Sequence, residues 1–423
     1  MASSDPENGI AFTLARWLFL AFVVCVPLVR PFNTQVGGLR VPLSDIVFLA
    51  AFLLWLIALL ARKTTLQYHR LYFFTGLYGA AHAVSTAFSI NHSTSAVKLA
   101  GIFYLIAIAV MTVNLAQEPG FRKKLVYAWL AGTALIVLGS MAGVFIFYAG
   151  YDSTATNFFM SQLGSLPDGN YPRMRSLFEN VNMMTNYLNV SMILVLAAGR
   201  SGWINRRLAY VLAVGIFVAV FFGFSGGIGG IFLSLGLWFG YVFATRSQPL
   251  SRGALISGAI LAGLALVPIL ISPDTANTDQ DFTLPGTEIK LESSARVLIW
   301  QDTIKRGLEN PVFGKGTGTD PANITYHALS GQTHILQDAH NAWLNVFGQT
   351  GLFGLMAFIL LCWYVFSICR FDTSDPLTVA ASCAFVGSFH YQNLFGSFED
   401  ARHLWILIGL IAALVAGDID EPS

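Results

Sequence analysis

The sequence predicts an all-α polytopic membrane protein, and three observations carry that prediction. Hydrophobic residues make up 55% of the 423 positions and charged residues only 11%, whereas a soluble domain carries about 25% charge. Apolar runs of about 20 residues, the length that crosses a bilayer, recur along the whole chain. Lysine and arginine collect in alternate connecting segments, the pattern that sets the orientation of a multi-span protein.

The apolar runs give twelve expected spans, at 12–28, 44–61, 71–89, 96–115, 125–149, 181–198, 208–224, 228–244, 254–271, 349–369, 376–394 and 403–417. The first is followed by no small-residue cleavage site and reads as a span rather than a signal peptide. With the N-terminus in the cytoplasm, the short inner segments hold Arg62, Lys63, Arg70, Arg122, Lys123, Lys124, Arg200, Arg206, Arg207, Arg246, Arg252 and Arg370, and the short outer ones only Arg30, Arg40 and Arg402. An even number of spans puts the acidic tail Asp418-Ile419-Asp420-Glu421 inside as well. Two outer segments are long and polar, about 150–180 and 272–339. The expected organisation is therefore 1–271 with spans one to nine, a partly helical outer loop domain at 272–339 between spans nine and ten, and 340–423 with spans ten to twelve. A connector as long as the second segment is unusual unless it folds or functions.

Net charge is +1, which gives no nucleic-acid signal. Cys25, Cys362, Cys369 and Cys383 all fall in or at the ends of spans, so structural disulfides are not expected. Free cysteine packs as a small hydrophobe. No Cys/His spacing of metal-ligating type is present, and no metal or cofactor is expected.

Candidate chemistry lies in the outer segments. Asp338-Ala339-His340-Asn341 stands where the long loop meets a hydrophobic helix, and a histidine with a polar neighbour moves protons near neutral pH. Gly351-Leu352-Phe353-Gly354 begins eleven residues on, about three turns along a regular helix, and so should share the histidine's face. Residues 292–309 read as an amphipathic helix on the membrane surface, capped by Ser293 or Ser294, with Val297, Trp300, Ile304 and Leu308 as its stripe. Arg296, near its start, has the planar fork that grips a phosphate oxygen pair. Asn310-Pro311-Val312-Phe313-Gly314-Lys315-Gly316-Thr317-Gly318 ends that helix in a glycine-rich turn. Its backbone N–H groups would cradle an anion beside Lys315, or it is a plain turn. Arg173 and Arg175 precede a span carrying Asn182, Asn186, Tyr187 and Asn189. Interfacial snorkelling for the arginines and helix packing for the asparagines are the competing readings. His82 and His390 read as packing residues, His327 and His334 have no motif around them, and Ser225-Gly226-Gly227 reads as a tight outer hairpin.

In this order, the pieces resemble the O-antigen ligase and polysaccharide polymerase superfamily of bacterial inner membranes. The ligase pattern His-[Asn/Ser/Gln], nine residues, Gly-x-x-Gly is met by His340-Asn341, residues 342–350 and Gly351-Leu352-Phe353-Gly354. An arginine and tryptophan helix leading into Pro-x-x-Gly-x-Gly is met by Arg296 to Trp300 and Pro311 to Gly316. Arg175-Ser176-Leu177-Phe178-Glu179-Asn180-Val181-Asn182 is similar to the upstream Arg-x-x-Phe-x-Asn-x-Asn. One departure is Phe224-Ser225-Gly226-Gly227, which lacks the arginine of the family's Ser-Arg-Gly.

The resemblance implies a metal-independent, inverting glycosyltransferase. It would move a glycan from an undecaprenyl-diphosphate carrier to an acceptor at the periplasmic face, the lipid A core for a ligase or a second carrier-linked unit for a polymerase. The termini would be cytoplasmic, and membrane lipids would surround the spans. His340 is then the expected general base, oriented by Asp338 or Asn341. Arg296, Arg173, Arg175 and Lys315 would face the diphosphate, with Asn182 nearby. A departing diphosphate needs cations or N–H donors, and a histidine titrating near 6.5 suits proton removal from a hydroxyl. A protein O-oligosaccharyltransferase shares much of this pattern. A transporter fits the span number but predicts functional polar groups near the bilayer midplane, whereas here they concentrate at the outer surface. An envelope scaffold docking through its long loops is the third reading.

Overall fold

The computed structural model describes residues 9–30, 33–36, 39–150, 158–163, 171–223, 227–245, 282–283, 290–291, 296–327, 333–394, 396 and 401–419. Twelve described helices run in the order α1 (Ile10–Cys25), α2 (Leu43–Leu60), α3 (Leu71–Ala87), α4 (His92–Ala116), α5 (Pro119–Tyr148), α6 (Val181–Arg200), α7 (Arg206–Phe221), α8 (Ile228–Ala244), α9 (Arg296–Gly307), α10 (Ala342–Ile368), α11 (Pro376–Gln392) and α12 (Arg402–Ile419). Eleven of the twelve expected spans coincide with a helix. The remaining one, 254–271, lies outside the described residues, as do Ser293, Ser294, Ser225 and Gly226. Five helices, α2, α4, α5, α6 and α10, have the length and apolar composition to cross a bilayer, and α1, α8 and α12 are shorter apolar helices.

The all-α expectation needs one correction. Among the described residues four two-stranded antiparallel hairpins join the helices: β1 (Asn33–Val36) with β2 (Leu39–Pro42), β3 (Met160–Leu163) with β4 (Tyr171–Met174), β5 (Phe282–Thr283) with β6 (Lys290–Leu291), and β7 (Ile324–His327) with β8 (Thr333–Leu336). Strands of two to four residues are too short to show a period-two pattern against a polar background.

Helix α1 packs on α2 and α5, α12 on α4 and α11, α11 on α6 and α8, and α10 on α3 and α9. One apolar core runs through the bundle. At its centre Trp129 of α5 stacks on Tyr187 of α6, ring centroids 5.3 Å apart, and donates from Nε1 to Ser191 Oγ at 2.9 Å. Glycines let α8 and α11 approach closely: a Cβ on Gly230 would lie 2.6 Å from the Gly387 carbonyl oxygen. Ser234 of α8 donates to the Cys383 carbonyl at 3.1 Å across the same contact.

The up-and-down topology sorts the connections. At one end of the bundle Tyr127 donates to the Trp203 carbonyl (2.8 Å), Arg200 to Thr245 Oγ1 (2.9 Å) and Tyr241 to the Ser374 carbonyl (3.3 Å). Lys123, Arg200, Arg206, Arg207 and Arg370 sit in or beside those same connections. The opposite end carries α9, hairpins β3–β4 and β7–β8, and the start of α10. There Ile299, Ala322 and Ala339 form a small separate core with Ile324, Leu336 and Leu344.

Two local expectations change. The surface stripe of α9 is split: Ile299 and Thr303 are buried, while Ile304 and Leu308 are exposed. Gly307 lies against the Phe347 ring, so α9 is docked on α10. Helix α10 begins at Ala342 instead of 349 because its first turns carry Asn345 and Gln349, which lower hydropathy although both are buried.

Candidate active site

His340 occupies a backbone conformation that side-chain-bearing residues rarely adopt, with φ of 49°. Such positions persist only where the surroundings fix them, and here they do. The Asp338 carboxylate accepts the His340 backbone N–H at 2.6 Å and the Asn345 amide at 2.9 Å. Asn345 Oδ1 accepts the Ala339 N–H at 2.9 Å, and Trp300 Nε1 donates to the Ala339 carbonyl at 2.9 Å. Helices α9 and α10 therefore clamp the loop from two sides. His340 Nδ1 lies 3.6 Å from the same Asp338 oxygen, too long for a hydrogen bond but close enough to favour the tautomer with Nδ1 protonated. That tautomer leaves the Nε2 lone pair as acceptor.

Asn341 does something else. Its side chain accepts the Leu344 N–H at 3.1 Å as the N-cap of α10, so Asp338, and not Asn341, stands beside the ring.

His340 and Asp338 form one wall of a cavity of about 160 Å³. Val26 and Val29 after α1, Phe178 and Asn180 before α6, Asn182, Met183 and Asn186 of α6, Tyr391 and Gln392 of α11, and Arg402 and His403 of α12 complete it, with Gly396 and Ala401. Asn180 is the N-cap of α6, accepting the Met183 N–H at 2.8 Å. Asn182, expected at the site, lines the cavity; Arg175 does not, and sits in the adjoining turn. That turn is held by Ser176, whose φ is also 49° and whose Oγ donates to the Ile136 carbonyl at 2.9 Å. Burial and the nearby Arg30 cation press the Arg175 pKa down. Arg30 itself pairs with Glu179 at 3.3 Å. Arg173 lies in β4 and Arg296 opens α9; their side chains lie outside the described residues, as do those of His327 and His334.

The anion cradle expected at Gly314–Gly318 is overturned. Its N–H groups are already committed: Gly314 donates to the Asn310 carbonyl at 2.9 Å, Gly316 to the Gln349 carbonyl at 2.9 Å and Gly318 to Gln349 Oε1 at 2.6 Å. The turn is packed rather than exposed, because a Cβ on Gly314 would meet the Gln349 carbonyl oxygen at 2.2 Å and one on Gly316 would meet Ser89 Oγ at 2.0 Å. Lys315 Nζ, expected to face the diphosphate, donates to Glu309 at 2.6 Å and holds that carboxyl below its ordinary pKa.

Sequence reasoning missed the Arg402 cluster. Arg402 Nε and Nη2 donate to the two Asp45 oxygens at 2.7 Å each, and Tyr104 Oη donates to Asp45 at 2.7 Å. A lone arginine in an outer connection carries no motif; an acidic residue in the first turn of an otherwise apolar span was the available signal. Among the described residues no group of three His, Cys, Asp or Glu side chains is placed to hold a metal ion.

The family model described as O-Antigen ligase matches residues 183–359. Over that stretch the chain is similar to the O-antigen ligase family. It contains Asn186, Arg296, the Pro311–Gly318 turn, His340 and the Gly351–Gly354 motif, so the likeness read from motif order holds over those residues. No curated protein matches the chain. The matched stretch supplies Met183, Asn186, Asp338 and His340 to the cavity; the other lining residues, among them Phe178, Asn180, Gln392, Arg402 and His403, lie outside it. With its spanning-length helices the chain is a multi-pass membrane protein.

Proposed function

We propose that this protein is an O-antigen ligase-type glycosyltransferase. In this reading it takes a glycan from undecaprenyl diphosphate and joins it to an acceptor hydroxyl of the lipid A core, at the periplasmic face of the inner membrane. The observation that carries it is His340 beside Asp338 on the wall of one cavity, within the stretch that matches the O-antigen ligase family model.

The chemistry balances with this chain's own groups. The acceptor oxygen attacks the anomeric carbon and its proton passes to His340 Nε2. The new C–O bond forms as the bond to the diphosphate oxygen breaks, on the opposite face, so the centre inverts. Asp338 stabilises the imidazolium that results. The leaving diphosphate carries the negative charge away, and Arg175, with Arg173 and Arg296, is assigned to meet it. The donor's lipid would lie along exposed apolar faces such as Leu138 and Phe145 of α5 or Val211 and Val214 of α7.

The test is transfer by purified protein in proteoliposomes, with a lipid-diphosphate-linked glycan as donor and lipid A core as acceptor. General-base help is worth about 10²–10⁴ in rate. His340→Gln should lose that factor in kcat with little change in KM. Full activity of His340→Gln would remove the assigned base. Transfer to a second carrier-linked glycan instead of lipid A core would make the protein a polymerase. Uptake of labelled glycan with no new covalent product would make it a transporter.

A further inference from the structure

Three side chains on the cavity wall play no part in the chemistry above. Asn186 on α6 is 1% exposed, Gln392 at the end of α11 is 2% exposed and His403 in the first turn of α12 is 6% exposed. All three share the cavity with His340 and Asp338. Among the described residues, neither Nδ2 nor Oδ1 of Asn186 has a hydrogen-bond partner, and the same is true of Gln392 Oε1 and His403 Nε2. Four buried polar atoms from three helices thus border one space. Buried polar groups in native proteins are almost always paired, and a concentration of unpaired ones around a cavity marks a place that a ligand completes.

The character of that ligand follows from the walls. Arg402, the arginine that lines the cavity, is already matched by both oxygens of Asp45. The unpaired atoms are neutral amide and imidazole groups, offering donors and acceptors side by side. Val26, Val29, Phe178 and Met183 add apolar surface to the same cavity. The cavity, about 160 Å³, has room for a ring-sized ligand. A diphosphate would find no unmatched arginine or lysine among the described lining residues. A ring with hydroxyls or an acetamido group would find donors, acceptors and an apolar face.

We infer that this cavity seats a single neutral pyranose against His340, with Asn186 as the double-sided contact and Gln392 and His403 completing its hydrogen bonds. The reaction assigned to that sugar rests on the transferase reading, but the binding does not. Asn186, Gln392 and His403 are accordingly specificity residues, setting which hydroxyl or acetamido pattern is accepted.

The test is saturation-transfer NMR on the full chain in detergent, with methyl glycosides of glucose, galactose, mannose, rhamnose and N-acetylglucosamine, and with inorganic pyrophosphate. At least one glycoside should receive signal from the wild-type protein and lose it at least fivefold in Asn186→Leu and in Gln392→Leu. Because Asn186 has no hydrogen-bond partner to lose among the described residues, Asn186→Leu should melt at or above the wild-type temperature. No signal from any glycoside would overturn the inference, and so would a clear drop in melting temperature for Asn186→Leu. Pyrophosphate binding that disappears in Asn186→Leu would give the cavity to the diphosphate instead. The two readings separate cleanly. Glycoside binding lost in Asn186→Leu, with no transferase activity in any preparation, keeps the sugar seat and rejects the reaction. Transfer at wild-type rate in both leucine variants keeps the reaction and rejects the seat.

Discussion

His340 combines two demands that conflict in a free peptide. Its side chain must reach a cavity, while its backbone must turn with φ of 49°, a conformation costing a non-glycine residue of order 1–3 kcal/mol. The loop tolerates this because Asp338, Asn345 and Trp300 hold the residues on either side. Alanine removes the imidazole but keeps the strain; glycine removes both. His340→Gly should therefore be more stable than His340→Ala by about 1 kcal/mol, measured by thermal unfolding in detergent, with both variants inactive. Equal stability would mean that the turn carries no strain. Asp338 and His340 were legible in the sequence because they are neighbours there, and a carboxylate two residues from a histidine closes a short polar turn. Asn186, Gln392 and His403 were not. Asn186 stands between Asn182 and Asn189 in one span and Gln392 and His403 lie in two others, and nothing in a linear pattern says that the three border one cavity.

At the scale of elements, the Gly351-Leu352-Phe353-Gly354 motif has a structural purpose that periodicity obscured. Gly351 has φ of 64° and ψ of −163°, so α10 is broken there and the expected shared face with His340 does not propagate through it. The second half of the helix starts afresh, with Leu352 and Phe353 donating to the Pro311 and Val312 carbonyls at 2.8 and 3.1 Å. The glycine-rich turn after α9 and the glycine pair in α10 are thus two halves of one joint, each filling the other's unpaired backbone groups. A Cβ on Gly351 would lie 2.5 Å from the Val312 carbonyl oxygen and 2.7 Å from the Gly314 nitrogen, all backbone atoms that cannot rotate away. Gly351→Ala should cost more than about 2 kcal/mol, combining a forbidden φ with overpacking. Gly240→Ala on α8, where a Cβ meets nothing within 4 Å, should be neutral or stabilising by up to about 1 kcal/mol. Melting temperatures of the two variants check this, and a silent Gly351→Ala would show that the joint yields.

Over the whole molecule, one end gathers basic residues and the other gathers the cavity, the hairpins and α9. Positive residues mark the cytoplasmic ends of spans, and this is the basis for assigning the cavity to the periplasm. Impermeant maleimide on intact cells tests it in a background with Cys25, Cys362, Cys369 and Cys383 replaced. Asn323→Cys, on the exposed loop between α9 and β7, should label at once. Lys63→Cys, exposed between α2 and α3, should label only after permeabilisation. The reverse pattern would put the cavity in the cytosol, out of reach of a periplasmic acceptor.

Apolar runs and the basic bias carried the helices in nearly every case, because the bilayer punishes an unsatisfied backbone so severely that composition alone selects helix. The same runs could not show that α10 begins at Ala342, since helix turns buried in protein need not be apolar. By itself, then, the sequence determined a helical membrane bundle, its order of elements and the histidine turn with its neighbouring carboxylate. Those features depend on short-range chemistry and on partition into lipid. Only the tertiary structure decided that the glycine turn is a joint instead of an anion cradle, that Asp45 holds Arg402, and that Asn186, Gln392 and His403 meet beside His340. Those facts depend on which helix faces are brought together by packing, and packing is a property of surfaces that no single segment contains.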